Sequence, residues 1–186
     1  MVDNLTSVSR TLSLVFATML SVTALLHTKN DALRLGRCLE TVYPCDEIVV
    51  VDHGSSDETL HVAREFGAKI ICLGADAEAR RVLPPKSLTL TQLISTPWLL
   101  CVSPRESLSE ALAASLFEWK LNDRISPNDG AYAMGLREEN AHGWIDNPVP
   151  QTRLIPANWD GWDGTFPTNR PSAATLDGKL LRFAFP

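Results

Sequence analysis

The sequence predicts one α/β domain in which a parallel sheet forms the front half and a mixed sheet forms the back half. Two strand–helix–strand units follow one another between 20 and 73, and a turn-rich segment with most of the tryptophans follows 126–130. Of the 186 residues, 45% are hydrophobic and 21% are charged, which fits one domain with a buried core. We predict that 19–186 is this domain and that 1–18 is an N-terminal extension, with Met19 as an alternative start.

The first unit begins with the largely apolar run Leu20–Leu26, which is typical of a strand covered on both faces. From Asp31, four apolar positions recur at steps of three and four residues and predict a helix that Pro44 ends. These positions are Leu35, Cys38, Leu39 and Val42. Glu47–Asp52 is the second strand, and it should be parallel to the first because such crossovers are almost always right-handed.

The second unit starts at Ser55, where the spacing to Glu58 predicts a capping box. Its helix should turn Val62, Ala63 and Phe66 inward and end at Gly67, before a third strand over 68–73. Asp57 lies in the first turn, where a carboxylate favours the helix dipole.

Further along, we predict a short helix around 88–95, a strand over 98–102 and a helix over 107–121. This last helix has capping-box spacing from Ser107 to Glu110. Its inward stripe is Leu108, Leu112, Leu116 and Trp119.

The back half should contain strands over 131–137 and 152–156. Asp177-Gly178 predicts a hairpin turn between 174–176 and 179–185.

Composition excludes several classes of function. The net charge of -5 and the lack of a basic run argue against nucleic-acid binding. The four cysteines form no C-x-x-C pair and no histidine stands at a metal-ligand spacing to them, so buried reduced thiols are expected and no metal site is assigned. The apolar run over 11–26 contains several Thr and Ser residues and is too short for a membrane span.

Ligands of open parallel sheets lie beyond the carboxyl ends of the strands. This rule predicts one crevice that is lined by 28–30, 52–56 and 103–106. Asp52 is the strongest candidate there, because a carboxylate that ends an apolar strand can accept from a base N–H or a ribose hydroxyl. The alternative is that Asp52 only accepts hydrogen bonds from the amides of its own turn.

Two segments then resemble a known family: SVTALLHTKNDALRLGRCLETV at 21–42 and DEIVVVDHGSSDETLHVAREFGAK at 46–69. They are similar to the opening of family 2 glycosyltransferases, and most of all to the bacterial branch that includes lipopolysaccharide-core glucosyltransferases. The similarity is thinner over 98–112 and 131–154. It implies a GT-A-like, three-layer fold of nucleotide-diphospho-sugar transferases.

The resemblance also implies a function. Thr28 and Asp52 match the positions that hold the nucleobase and ribose of a uridine-type nucleotide sugar, and Lys29, Asn30 and Gly54 are their neighbours. The sugar would go to a glycan or lipid-linked acceptor in cell-envelope glycan synthesis. Such a protein is expected in the bacterial cytoplasm, at the inner face of the membrane.

The resemblance further implies a D-x-D motif whose carboxylates hold Mg²⁺ or Mn²⁺ on the donor diphosphate. Here Ser103 and Arg105 stand at the two Asp positions, and Glu106 is the remaining acid. Arg105 has two interpretations, a guanidinium that clamps the diphosphate in place of the metal or a solvated loop residue.

The family's expected general base is an Asp shortly before Gln-x-Arg-Leu. Gln151, Arg153 and Leu154 match this motif, but Val149 stands at the Asp position. Asp146 and Glu139 are the candidate replacements, and the alternative for Asp146 is a turn former before Asn147-Pro148.

An acceptor site is the functional interpretation of Trp159 and Trp162, whose rings would stack on a sugar, with Arg153 beside them. In the structural alternative, these tryptophans cap the sheet while Asp-Gly pairs make turns, and it is favoured because the two turns explain the spacing without a ligand.

Two hypotheses stay open. In the first, the chain is an atypical glycosyltransferase that binds a nucleotide sugar and transfers the sugar without a metal. In the second, it is a catalytically inactive member of the fold that acts as a binding or structural module. An unrelated nucleotide-binding α/β protein ranks last, because the chain has no G-x-G-x-x-G or Walker loop.

Overall fold

A computed structural model describes residues 19–73, 94–122, 125–126 and 130–186. The front half contains β1 (Val22–Thr28), α1 (Ala32–Thr41), β2 (Glu47–Asp52), α2 (Thr59–Glu65), β3 (Lys69–Cys72) and β4 (Trp98–Val102). The back half contains β5 (Glu106–Leu108), α3 (Glu110–Lys120), β6 (Tyr132–Asn140), β7 (Gly143–Asp146), β8 (Gln151–Pro156), β9 (Trp162–Asp163), β10 (Phe166–Pro167) and β11 (Ala174–Arg182).

The main sheet has the strand order β3-β2-β1-β4-β8-β6-β11-β5, with β7 paired to β6. β3, β2, β1 and β4 are parallel. β8 is antiparallel to both β4 and β6, whereas β11 is parallel to β6 and antiparallel to β5. The predicted fold class, with a parallel front half and a mixed back half, is therefore confirmed.

Each face of the sheet carries a hydrophobic core. On one face, α1 and α3 pack against the strands, and most residues of the predicted helix stripes are buried: Leu35, Cys38, Leu39, Val42, Ala63, Leu112, Leu116 and Trp119. Val62 and Phe66 are only partly buried, and Leu108, predicted in the stripe of α3, is buried in β5 instead. The opposite face contains Leu25, Val49, Leu99, Ile155 and Trp159. Both faces of β1 and β4 are covered, which explains why their sequences are apolar without alternation.

The cysteines are all free, and Cys38 and Cys101 are buried, as expected. Cys72 is exposed. Burial raises the pKa of the Cys101 thiol to about 12, and this thiol is therefore unreactive at neutral pH.

Both predicted capping boxes are wrong in their details. The first turn of α2 is closed by Asp57, whose Oδ1 accepts from the Thr59 backbone N–H at 3.0 Å, whereas Ser55 donates to Asp52. The cap of α3 is Ser109, whose Oγ accepts from Leu112 N at 3.3 Å. Ser107 belongs to β5, since the chain pairs with β11 before it turns into the helix.

The predicted hairpin at Asp177-Gly178 is also wrong. Both arms belong to the single strand β11, and the register with β6 shifts between Leu176 and Lys179. Gly178 has φ 89°, and a Cβ there would lie 2.2 Å from Leu112 N. The Asp-Gly pair thus makes a bulge against the start of α3 rather than a reversal of the chain.

The other predicted elements agree with the structure to within a few residues. Gly67 ends α2 with φ 69°, as predicted. β5, β7, β9 and β10 were not predicted. The helix predicted around 88–95 lies outside the described residues except for Ile94 and Ser95, which are not helical, and the extension 1–18 lies outside them entirely. None of the described helices has the length and apolar character needed to cross a membrane.

Candidate functional site

The predicted crevice lies at one edge of the sheet, where several strands end together. The parallel strands β1, β2 and β4 end at Thr28, Asp52 and Val102. β6 and β11 point the same way as β4, because β8 is antiparallel to both β4 and β6. Their ends at Asn140 and Arg182 therefore lie along the same edge, which is where such sheets bind ligands.

Asp52 organises the loop that follows β2. Its carboxylate accepts from the backbone N–H groups of Gly54 and Ser55, at 3.1 and 3.0 Å, and from the Ser55 hydroxyl. Asp52 is only 2% exposed. Its carboxylate satisfies the amides of its own turn, which was the structural alternative, and its contact with a ligand stays a prediction.

The loops after β1 and β2 are bound to each other. Asn30 has φ 54°, its N–H donates to Ser55 Oγ at 2.9 Å, and its side-chain oxygen accepts from Ser56 N at 2.8 Å. Thr28 is buried and donates to Asp31 Oδ2 at 3.1 Å, whereas Lys29 and Gly54 are exposed. The predicted nucleoside residues therefore form one preorganised wall, from which Lys29, Asn30 and Gly54 face solvent.

Arg105 is exposed in the loop between β4 and β5. Its backbone N–H donates to Ser103 Oγ at 3.3 Å, while its guanidinium has no partner among the described residues. An unpaired guanidinium at the end of β4 is suited to binding an anion, because it presents several donors without a competing carboxylate.

Glu106, the neighbour of Arg105, is fully buried. Its Oε1 accepts from Arg182 Nη2 at 2.7 Å and from Arg153 Nη2 at 3.1 Å, and its Oε2 accepts from Ser103 N at 2.9 Å. Glu106 thus anchors the loop that carries Arg105 and has no surface open to the predicted nucleotide sugar.

The residues at the D-x-D position do not fit a divalent metal. Mg²⁺ and Mn²⁺ need several oxygen ligands, and here Ser103 and Arg105 stand where two carboxylates are expected. The nearby Glu106 carboxylate is already bound to two guanidinium groups. In the described part of the chain, no group of three His, Cys, Asp or Glu residues is placed to hold a metal ion.

Of the predicted acceptor residues, Trp159 and Arg153 are buried and Trp162 is half-buried. Trp159 is 6% exposed, its N–H donates to Gly161 O, and the Arg170 guanidinium lies 4.2 Å from its ring. Trp162 donates to Trp159 O at 3.1 Å. These contacts fit the structural alternative, in which the tryptophans cap the sheet.

The turns of this segment were predicted from its Asp-Gly pairs. Asp163-Gly164 lies in the short hairpin of β9 and β10, as expected. Arg153 is also buried, with its guanidinium 3.8 Å from the Phe166 ring, and it holds Glu106 rather than lining an open site.

The two candidate bases differ in their surroundings. Asp146, on β7, pairs with Arg137 at 2.7 Å and with Lys179 at 2.6 Å. The hydrogen bonds from Arg137 and Lys179 hold the pKa of this carboxyl well below its usual range, which makes it a weak proton acceptor. The carboxylate of Glu139 accepts one backbone bond, from Ala184 N at 3.2 Å. Val149 is 51% exposed.

A cavity of about 330 Å³ opens between the ends of β6 and β11. Glu139, Arg105 and Phe183 are among its lining residues, together with Glu138, Ile145 and Arg182. Arg105 thus lines this cavity and also follows the end of β4, because its loop leaves β4 and reaches the end of β11.

Two features of this edge escaped the sequence analysis. Arg182 binds Glu106 and Glu138, and only the pairing of β11 with β5 and β6 places it there. His27 and His53 also meet, with Nδ1 of the first 2.9 Å from Nε2 of the second. Their positions at the ends of β1 and β2 were a possible signal for this second contact, since the strands were predicted to be parallel.

Comparison with known proteins relates half of the chain to proteins named glycosyltransferases. An uncharacterized glycosyltransferase of Rickettsia typhi is 32% identical over 98 residues, which cover 50% of this chain and 31% of that relative. One of Rickettsia felis is 34% identical over 98 residues, which cover 50% of this chain and 32% of the relative. The matches thus span about a third of these relatives' length. No family model matches the chain.

Solved structures are similar at low sequence identity. Staphylococcus aureus TarS in complex with UDP has a TM-score of 0.48 and 16% identity, over 70% of this chain and 39% of that chain. Mannosyl-3-phosphoglycerate synthase from Rubrobacter xylanophilus has a TM-score of 0.44 and 18% identity, over 65% of this chain and 41% of that chain. The sequence matches support the predicted similarity to proteins named glycosyltransferases, and the lipopolysaccharide-core branch stays a prediction.

Proposed function

We propose that this protein binds a uridine-type nucleotide sugar at the edge formed by β1, β2 and β4 and transfers the sugar to a glycan or lipid-linked acceptor. One observation carries this proposal. The Arg105 guanidinium, which has no partner among the described residues, stands at the D-x-D position on the strand-end edge that Thr28 and Asp52 also border. The sequence similarity to proteins named glycosyltransferases supports the same class of activity.

The donor's two parts would meet different residues. The nucleoside would lie against the wall of 28–30 and 52–55, where fixed loops present backbone groups and the exposed Lys29. The diphosphate would be bound by Arg105, whose fork of donors matches two phosphate oxygens. Glu106 would fix the loop that carries Arg105 and would thereby position the Arg105 guanidinium.

Arg105 would also supply the charge that the reaction needs. Sugar transfer leaves negative charge on the departing nucleoside diphosphate, and a metal ion usually neutralises it. Since the acids of this site do not fit a metal, a fixed cation at Arg105 is the group placed to do so. Transfer would then proceed in the cytoplasm, at the inner face of the membrane if the acceptor is lipid-linked.

A second candidate function is that of a binding module without catalysis. It is favoured by the surroundings of the expected base. Val149 stands at the position of this base, and Asp146 is already paired with Arg137 and Lys179. The two functions share the nucleotide site and differ in turnover, so that binding and release of UDP must be measured separately.

The test is a calorimetric titration of the full chain with UDP and UDP-glucose, with and without Mn²⁺. We expect binding that Mn²⁺ does not strengthen. Arg105→Ala should weaken it about 10- to 100-fold, since a bond to a charged group contributes about 1.5–3 kcal/mol. Arg105→Lys should keep part of the affinity, because it retains the charge but not the fork.

Arg64→Ala, on the exposed face of α2, is the matched control and should bind like the wild type. No binding of either nucleotide would overturn the proposal. Binding that requires Mn²⁺ would overturn the role of Arg105.

A further inference from the structure

The cavity between β6 and β11 shares one lining residue, Arg105, with the proposed donor site, and one short segment links Arg105 to Glu139. Phe183 N donates to Arg105 O at 2.9 Å, and the next residue, Ala184, donates through its N–H to Glu139 Oε2 at 3.2 Å. Consecutive backbone nitrogens are less than one Cα–Cα spacing of about 3.8 Å apart, so the Arg105 carbonyl and the Glu139 carboxylate lie within roughly 10 Å of each other.

The size of the cavity suits one sugar unit. Its volume of about 330 Å³ is at the small end of the range of about 300–1,000 Å³ for ligand sites. A whole nucleotide sugar extends beyond such a space, whereas the acceptor end of a glycan needs only to bring one hydroxyl next to the donor.

The acids near this cavity are not equivalent. Glu138 is paired with Arg182 at 2.6 Å, and Asp146 is paired with Arg137 and Lys179. Glu139 forms no ion pair with a described residue, and the bond from Ala184 N fixes one oxygen while the other stays open to a proton. A backbone donor holds the carboxylate in place without a cation that would compete for it.

We propose that this cavity receives the acceptor and that Glu139 is the general base that deprotonates its hydroxyl. The inference rests on the proposed function, and it adds an acceptor site and a general base to the donor site. Glu139, near the end of β6, would take the place of the acid expected at Val149, which lies in the loop between β7 and β8.

The reaction balances with the groups present. The acceptor O–H proton moves to Glu139, and the oxygen forms a bond to the anomeric carbon of the donor sugar. The bond from this carbon to the diphosphate oxygen breaks, and the electron pair leaves with the nucleoside diphosphate, whose charge Arg105 stabilises. When water replaces the acceptor, the same steps give the free sugar, the nucleoside diphosphate and one proton, which Glu139 passes to solvent.

The test uses this hydrolysis, because the acceptor is a glycan of unknown structure. The full chain is incubated with UDP-glucose, released UDP is quantified, and UDP affinity is measured in parallel by calorimetry. Glu139→Gln should lower the rate of release about 100-fold or more and leave UDP affinity unchanged, as expected for loss of a general base. The glutamine oxygen still accepts from Ala184 N, so the fold is kept, and circular dichroism checks this.

Glu118→Gln, the same change on the exposed face of α3, is the control and should release UDP at the wild-type rate. If Glu139→Gln releases UDP as fast as the wild type, the role of Glu139 is overturned. If the wild type binds UDP but releases none from UDP-glucose, the base assignment fails while nucleotide binding stands. If UDP does not bind at all, the proposed function fails and this inference fails with it.

Discussion

The two halves of the strand-end edge are stabilised in different ways. In the front crevice, Asn30 bonds to Ser55 and Ser56, which are only 25 and 26 residues away, through uncharged groups. In the back half, Glu106 bonds to Arg153 and Arg182, which are 47 and 76 residues away, through buried charges.

This difference predicts that the two halves respond differently to substitution. The front wall is shaped by loops of one strand–helix–strand unit, so that its form depends little on the rest of the protein. The back half depends on a charge cluster from β5, β8 and β11. This cluster fixes the loop of Arg105, whose guanidinium pairs with no residue in the described part of the chain. A change in the cluster should therefore affect stability, and a change in Arg105 should affect ligand binding.

Glu106→Gln gives the largest expected effect, because it removes the negative centre of the cluster. Arg153, which is 3% exposed, would keep its charge in the core without a carboxylate. We expect a loss of about 3–5 kcal/mol in the free energy of unfolding, measured by urea denaturation.

The control is Glu138→Gln, since Glu138 pairs with the same Arg182 but is 40% exposed. Its cost should be about 1 kcal/mol or less. A similar small cost for both variants would show that the cluster is not what stabilises the back half.

Gly178→Ala is expected to cost about 3 kcal/mol, because the new Cβ would lie 2.2 Å from Leu112 N and 2.6 Å from Leu112 Cα. Both contacts are to backbone at the start of α3, which cannot rotate away. Thermal unfolding checks this value. Gly143→Ala isolates the strain of a positive φ, since that glycine has φ 118° with nothing within 4 Å of a Cβ, and it should cost clearly less.

The front half could be predicted because its signals are local. Helix stripes at three- and four-residue steps and apolar strands between them identified β1, α1, β2, α2 and β3. The right-handed crossover rule then gave the parallel pairing. Even the loop role of Asp52 was foreseen, since a carboxylate before Gly54-Ser55 is a frequent acceptor for turn amides.

The back half could not be predicted to the same depth, because its contacts join distant segments. The composition of Asp177-Gly178 is typical of a hairpin turn. However, the segments before and after it both pair with the same strand, β6, and Asp177-Gly178 therefore forms a bulge. Nothing near Glu106 in the sequence indicates that Arg153 and Arg182 will surround it. The pairing of Asp146 with Lys179 has the same origin, so sequence alone left Asp146 and Glu139 equivalent as bases.

His27 gives the front half a pH dependence. Burial, and next the nearby His53, lower the pKa of His27 to about 4 from the ordinary value of 6.5. Between these two values the unfolded chain binds the proton more strongly, so the folded state loses stability as the pH falls. His27 should account for a loss of about 2 kcal/mol between pH 7.5 and pH 5.

Urea denaturation at the two pH values measures this loss, and His27→Gln should reduce it by that amount. His61→Gln, which changes a side chain that is 64% exposed, should leave the pH dependence as it is in the wild type. An unchanged slope in His27→Gln would mean that His27 is protonated as easily in the folded protein as in the unfolded chain.

The smallest expected effect separates the two serines before α3. Ser109 Oγ accepts from Leu112 N at 3.3 Å and from Lys179 N at 3.0 Å, so that it caps the helix and also fastens the bulge of β11. Ser109→Ala should therefore cost about 1 kcal/mol, measured by urea denaturation. Ser107 is buried and its hydroxyl has no hydrogen-bond partner among the residues that the structure describes. Ser107→Ala should therefore be neutral or slightly stabilising, although the sequence spacing favours Ser107 as the cap. The opposite ranking of these two variants would place the start of α3 at Ser107 and would separate the loop of Arg105 from the β5–β11 pairing that fixes it.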